Sequence, residues 1–389
     1  MKNITIGIMA CAAGIVVANN YYNQPLLPLL AADFHITDSH ASIIASVTQF
    51  GYALGMLLLL PLGDKMERRT LISIMLILAS GALLSFAHAS NFHLLTAYGF
   101  MVGFCSIVPQ ILPTFAAKVA GPQKASQAIG IVMGGLLLGI LLSRFVSGEL
   151  AHLWGWQSVY YLAAGLMLAL LILLRWVLPP VPPAFQGSYP ELLLSMASLL
   201  RRHSVLRLTS LCGALQFGAF SLFWTTLAFY LQSLDRGFGV STAGSFSLVG
   251  AIGALSAPLV GRVARRGSGV RLMRFGGVLM ILAFLSYALP WAQPWGLIPG
   301  IILMDLGMQV SHVISMNRNF QLDPLAVSRL NTVYMVTRFL GAACGTVAGG
   351  MVWLWAQWWG VCGAGVIFCL LALWLQRGLK NSQTTDEKG

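Results

Sequence analysis

Three ionisable side chains sit deep within long apolar runs of this sequence: Arg144, Asp305 and Arg338. A charge in such a run is costly in hydrocarbon, so each needs a partner, a wet cavity or a task. Asp305, Gln309 and His312 recur at i, i+4 and i+7, which puts a carboxylate, an amide and an imidazole on one helix face. Asp305 stands nine residues into an apolar run that begins near 296, which is about 14 Å along a helix and near the middle of a bilayer. Shielded from bulk water there, a carboxylate could exchange protons as solvent access alternates, with His312 and Arg144 as further proton-coupling candidates. The plainer reading is that Asp305 pairs with an arginine or bonds a neighbouring helix. Arg144, about 25 Å along its own run, falls at the outer side, where it could snorkel or pair with Glu149. Arg338, about 10 Å into its run, reads as shallow and structural. Either arginine could also hold an anionic substrate group.

The elements that carry these residues follow from composition. Of 389 residues 57% are hydrophobic and only 9% charged, against about a quarter charged in soluble domains. The apolar residues come in blocks of helical membrane-spanning length. This predicts an all-α polytopic membrane protein with twelve transmembrane helices in two six-helix bundles. The spans are placed at 4–32, 41–62, 70–88, 93–116, 127–149, 156–178, 206–233, 242–261, 271–291, 296–316, 331–353 and 359–377. Alternate connections hold 20 of the 23 Lys and Arg, and the opposite ones hold only Arg236. The positive-inside rule then puts both termini in the cytoplasm, on a bacterial inner membrane. The net charge of +12 is dispersed over helix ends, which fits topology and contact with anionic lipid and not nucleic acid.

Six scattered cysteines without a C-x-x-C pair read as small core residues, not as a disulfide or zinc framework. Lys2, an apolar run and Val16-Val17-Ala18 have the outline of a signal peptide. Cleavage would leave eleven spans and break the internal symmetry, so the first span is kept. Segment 19–34, NNYYNQPLLPLLAADF, then completes that span, because residues 4–18 alone are too short to cross. Asn19 and Asn23 should face a cavity, with Pro25 and Pro28 kinking the outer end.

Domain boundaries follow from the proline-rich stretch after the sixth span: a bundle over 1–178, a cytoplasmic linker over 179–204, a second bundle over 205–377 and a tail over 378–389. Within the linker, residues 190–202 read as an amphipathic surface helix. GDKMERR at 63–69 is echoed by GRVARRG at 261–267, about half a chain later, as expected of duplicated transporter halves.

With Asp64-Lys65 and Arg68-Arg69 in the charged frame of a G-x-x-x-D-R/K-x-G-R/K-R/K loop, the sequence resembles the major facilitator superfamily over essentially its whole length. Pro25-Leu26-Leu27-Pro28 and the glycines Gly130, Gly134, Gly135 and Gly139 resemble the twelve-helix drug and sugar efflux branch, of drug:proton antiporter type. The signature glycines, the Gly-Pro pair of the fifth span and the arginine of the fourth depart from that pattern. The resemblance implies that spans 1, 4, 7 and 10 line a central cavity. The cavity candidates are then Asn19, Tyr22, Asn23, Gln110, Gln216, Phe220, Trp224 and Gln309. It also implies a cytoplasmic gate of Asp64, Lys65, Arg68 and Arg69, and Arg338, shallow on the same side, reads as a structural partner for Asp64. Gly130 with Gly134, and Gly341, Gly345 and Gly349, read as close helix contacts.

His35, His40, His88, His93 and His152 fall at expected external ends near Asp33, Asp38 and Glu149. Together they could bind a metal or sense acidity, though unrelated interfacial histidines are the commoner case, and no metal site is assigned. No cofactor and no catalytic motif is expected, since no Walker lysine loop, H-E-x-x-H or G-x-S-x-G occurs. The function expected is secondary active transport of a small organic molecule by alternating access, as proton-coupled efflux by a monomer. The alternatives are a polytopic membrane enzyme and a transport-deficient substrate sensor.

Overall fold

The computed structural model describes residues 2–121, 123–181, 188–234, 238–250, 269–289, 294–323 and 326–386, with the side chains of 2, 64 and 380–386 left aside. Among the described residues every regular element is a helix. In chain order the helices are α1 Lys2–Ala18, α2 Asn23–Asp33, α3 Asp38–Leu58, α4 Leu62–Lys65, α5 Arg68–Ala87, α6 Phe92–Cys105, α7 Val108–Ala120 and α8 Ala125–Trp154. They continue with α9 Trp156–Val177, α10 Tyr189–Arg202, α11 Ser204–Gln232, α12 Val240–Val249, α13 Gly269–Tyr287, α14 Leu297–Phe320 and α15 Val327–Asp386.

Among the described residues ten helical stretches are long and apolar enough to cross a membrane. One of them, Val327–Leu379, spans 53 residues and carries the eleventh and twelfth expected spans together. They part at Gln357, a non-glycine residue at φ 49°, ψ −146°, where one left-handed residue replaces the loop expected there. The eighth expected span is represented by α12. Its remainder, the motif at 261–267 and Arg236 lie outside the described residues. Large apolar side chains left exposed on the spans, such as Ile172, Trp176 and Leu138, fit contact with lipid better than with water.

Among the described residues two expected spans are broken. The first divides into α1 and α2, and the fourth into α6 and α7. The first break comes earlier than the proline kink predicted from sequence. Asn19, Asn20 and Tyr21 donate their backbone N–H to the carbonyls three residues back, at 3.3, 3.1 and 2.9 Å, tightening the end of α1 into one 3₁₀-like turn. The chain then restarts at Asn23, so Pro25 occupies the first turn of α2, where a missing N–H costs nothing. The second break is built alike: Ser106 N–H reaches Gly103 O at 3.1 Å, and Pro109 opens α7.

The chain forms two compact units. The first comprises Met1–Thr37, Val47–Leu193 and Arg236–Leu248; the second comprises Asp38–Ser46, Leu194–Asp235 and Val249–Gly389. Close backbone approach organises each. In the first unit α1 packs on α8 so tightly that a Cβ at Gly14 would lie 2.6 Å from Gly135 O. In the second, α11 packs on α15, and a Cβ at Gly218 would lie 2.8 Å from Gly341 O. Gly341 and Gly345 thus act as close contacts, whereas Gly130 and Gly134 have nothing within 4 Å of a built Cβ. The α8 glycines in close contact with α1 are Gly135 and Gly139, five residues on from the pair the sequence singled out.

Candidate functional site

In the first unit the two helix breaks meet. Asn19 Nδ2 donates to Ser106 Oγ at 3.1 Å, joining the turn after α1 to the turn after α6. Ser106 Oγ spends its own proton on Val102 O at 2.7 Å, so it can only accept from Asn19, which fixes the amide orientation. Around this junction Asn23 Nδ2 donates to Thr48 Oγ1 at 3.1 Å, and Gln110 Nε2 donates to Tyr52 Oη at 3.1 Å. Tyr22 is buried beside them. Of the sequence candidates, Asn19, Tyr22 and Asn23 are buried here, and Gln110 is partly buried at its bond to Tyr52.

Arg144 belongs to the same region. It is 1% exposed, so it does not snorkel, and Glu149 accepts instead from Ser241 Oγ. Its Nε donates to Gln24 Oε1 at 2.7 Å, and its guanidinium carbon stands 5.0 Å from the Tyr21 ring centroid, a cation–π distance. The physical reason is the break: the turn at 19–22 swings Tyr21 and Gln24 onto the face of α8 that carries Arg144. Arg144 belongs to the first unit, and Asp305 and His312 belong to the second.

Five amide atoms at the first break have no hydrogen-bond partner among the described residues: Asn19 Oδ1, Asn20 Nδ2 and Oδ1, Asn23 Oδ1 and Gln24 Nε2. All four residues are at most 2% exposed. Buried polar atoms are normally satisfied, and an unsatisfied one costs about 1–3 kcal/mol. Such a concentration marks a region built for something other than stability.

In the second unit Asp305 and His312 are buried on α14, while Gln309 is partly exposed. His312 Nδ1 lies 3.0 Å from Tyr334 Oη, with the two rings stacked at 5.6 Å and 13°. One turn beyond Tyr334 on α15, Arg338 places its guanidinium carbon 4.2 Å from the Phe217 ring centroid and Nη2 3.3 Å from Met308 Sδ. Met308 lies on the same face of α14 as Asp305 and His312. Because α15 begins at Val327, Arg338 stands about 16 Å into the helix, deeper than the sequence placed it. Gln216 Nε2 donates to Ser311 Oγ at 3.0 Å, and Phe220 lies between Phe217 at 5.6 Å and Trp224 at 6.1 Å.

At the turn between α4 and α5 Arg68 donates from Nε to Gly63 O at 3.2 Å and from Nη1 to Thr114 Oγ1 at 3.1 Å. Arg69 donates to Arg175 O, and Lys65 is exposed. The Asp64 side chain lies outside the described set. Of the histidines expected at external ends, His88 bonds Leu84 O at 2.9 Å and faces Tyr161. Among the described residues no group of three His, Cys, Asp or Glu is placed to hold a metal.

Sequence reasoning passed over Asn20, Tyr21, Gln24, Ser106, Phe217, Ser311 and Tyr334. Tyr334 carried a signal, its i, i+4 spacing to Arg338. Ser106 and Phe217 carried none, since each matters only through the helix packed against it.

The family model described as Major Facilitator Superfamily matches residues 9–344. "Uncharacterized transporter YgaY" of Escherichia coli O157:H7 is 38% identical over 369 residues, 95% of this chain and 93% of its own. "Probable transporter SCO4007" of Streptomyces coelicolor is 30% identical over 358 residues, 91% of this chain and 83% of its own. Among solved structures, an inward-facing, unoccupied bacterial homolog of the human lysosomal transporter Spinster superposes with a TM-score of 0.78 at 15% identity, covering 99% and 98% of the two chains. The nucleoside transporter NupG gives 0.76 at 16% identity, covering 98% and 100%. At these identities the likeness to the solved structures is one of fold.

Proposed function

The chain belongs to the major facilitator superfamily and is a multi-pass membrane transporter, and from that premise we propose that it is a proton-coupled exporter of a small organic molecule. It works by alternating access in a bacterial inner membrane, as a monomer with both termini in the cytoplasm. The observation that carries the coupling is the second-unit cluster. A carboxylate, Asp305, and an imidazole, His312, share one buried helix face, and the imidazole is held by Tyr334 at 3.0 Å. Buried ionisable groups on a transport helix are the usual carriers of coupling protons. Arg338, bedded on Phe217, brings a positive charge to the same cluster.

Substrate recognition falls to the polar cavity residues. Asn19, Tyr22, Asn23 and Gln110 serve in the first unit, and Gln216, Phe220, Trp224 and Gln309 in the second. Breaks in the spans supply the backbone freedom typical of transporter binding sites. Arg68 and Arg69, bonded to helix-end carbonyls, act with Asp64 and Lys65 as the cytoplasmic gate.

The test is flux in proteoliposomes of purified protein. Asp305→Asn is expected to abolish substrate movement driven by a proton gradient while leaving substrate exchange and membrane assembly intact. Unchanged coupling in that variant would remove Asp305 from the mechanism.

A further inference from the structure

We propose that the break of the first span is a recognition site for a small hydrophilic carboxylate. Arg144 and Gln24 take the carboxylate, and the neighbouring asparagines take a hydroxyl or amino group on the same molecule. The proposal rests on the transport reading above, for which it names the substrate class.

The polarity of each group can be assigned from its neighbours. A guanidinium has donors only, so the Gln24 oxygen must face Arg144 Nε at 2.7 Å. The other arm of the same amide, Gln24 Nε2, is then a donor, and it has no partner among the described residues. Arg144 supplies a full positive charge with almost no exposure, held over Tyr21. A charge and an amide donor side by side match a carboxylate, whose two oxygens accept and cannot donate.

The asparagines have the opposite need. Asn19 gives its N–H to Ser106 Oγ, which can only accept, so Asn19 Oδ1 faces away as an acceptor without a partner. Asn23 is held likewise through Nδ2 by Thr48, and its Oδ1 has no partner among the described residues. Asn20, 0% exposed, presents both a donor and an acceptor. A ligand that satisfies these atoms must bring donors as well as an anionic end. A hydroxy- or amino-carboxylate does so, whereas a lipophilic cation or a plain hydrocarbon would leave the amides and the guanidinium without ligand contacts. Six consecutive residues, Asn19 to Gln24, spanning the turn and the start of α2, carry all four amides.

The experiment measures thermal unfolding of the purified full-length protein with three pairs of probes: gluconate and glucitol, lactate and 1,2-propanediol, serine and serinol. In each pair the alcohol replaces the carboxylate and little else. At least one carboxylate is expected to raise the unfolding temperature, and its alcohol partner to leave it unchanged. Arg144→Gln should weaken that carboxylate by about tenfold or more, the scale of one charged hydrogen bond. Gln24→Glu keeps the side-chain size and supplies an internal anion to Arg144, so it should fold and lose the response even if Arg144→Gln does not fold. Inertness of all three carboxylates, equal effects of the alcohols, or a response that survives in Gln24→Glu would each overturn the proposal. Asp305→Asn should keep the response, which separates recognition from coupling. Carboxylate binding without flux would sink the transport reading alone. Flux of some other solute without a carboxylate response would sink this proposal alone.

Discussion

Replacing Asn20 by leucine should make the protein more stable and a poorer transporter. Asn20 is fully buried, and neither its Nδ2 nor its Oδ1 has a hydrogen-bond partner among the described residues. Each unsatisfied atom costs about 1–3 kcal/mol, so removing both is worth about 2–6 kcal/mol. Leucine is slightly bulkier in a packed site, which takes back about 1–3 kcal/mol. The net gain should be on the order of 1–3 kcal/mol, seen as a rise of a few degrees in the unfolding temperature of detergent-purified protein. Transport measured on the same preparation should fall, because residues kept at a cost to stability are usually kept for function. A leucine variant that unfolds at a lower temperature than wild type would refute the reasoning, since it would mean that the amide is satisfied in the folded protein.

Four further substitutions test the packing and the polar contacts. Tyr334→Phe removes the hydroxyl that lies 3.0 Å from His312 Nδ1, and should shift the pH dependence of flux without lowering the amount of protein in the membrane. Gly14→Val drives a side chain into Gly135 O and should cost about 1–3 kcal/mol or more by overpacking; Gly134→Ala, with open space around its Cβ, should be neutral or stabilising by up to about 1 kcal/mol in the same unfolding assay. Asn23→Ala breaks the bond to Thr48 and should change substrate affinity in a flux titration more than it changes expression.

The linear sequence carried the spans because a bilayer imposes one length and one polarity on every crossing element, and both can be counted along a chain. Nearly all the expected helix ends recur within a few residues, from α5 at Arg68 to α9 at Val177. The sequence also showed that Asp305 and His312 share a face, since helical periodicity alone decides that. It misjudged Arg144 and Arg338 for a common reason. Depth was counted from an assumed helix end, and side-chain direction was assumed to run toward the nearer surface. In the fold, Arg144 instead turns inward to Gln24 and Tyr21, and α15 starts far enough upstream to bury Arg338 beside Phe217. The place of the first break was likewise a tertiary decision. Prolines 25 and 28 announced some irregularity, but a proline is tolerated in the first turn of a helix as readily as at a kink. What selected the turn at 19–22 was its fit against the second break, through Asn19 and Ser106, 87 residues apart. Local sequence decides which segments are helices, because propensity and hydropathy are local. Which polar atoms meet depends on how each helix is rotated about its axis, and only the packed neighbours fix that rotation.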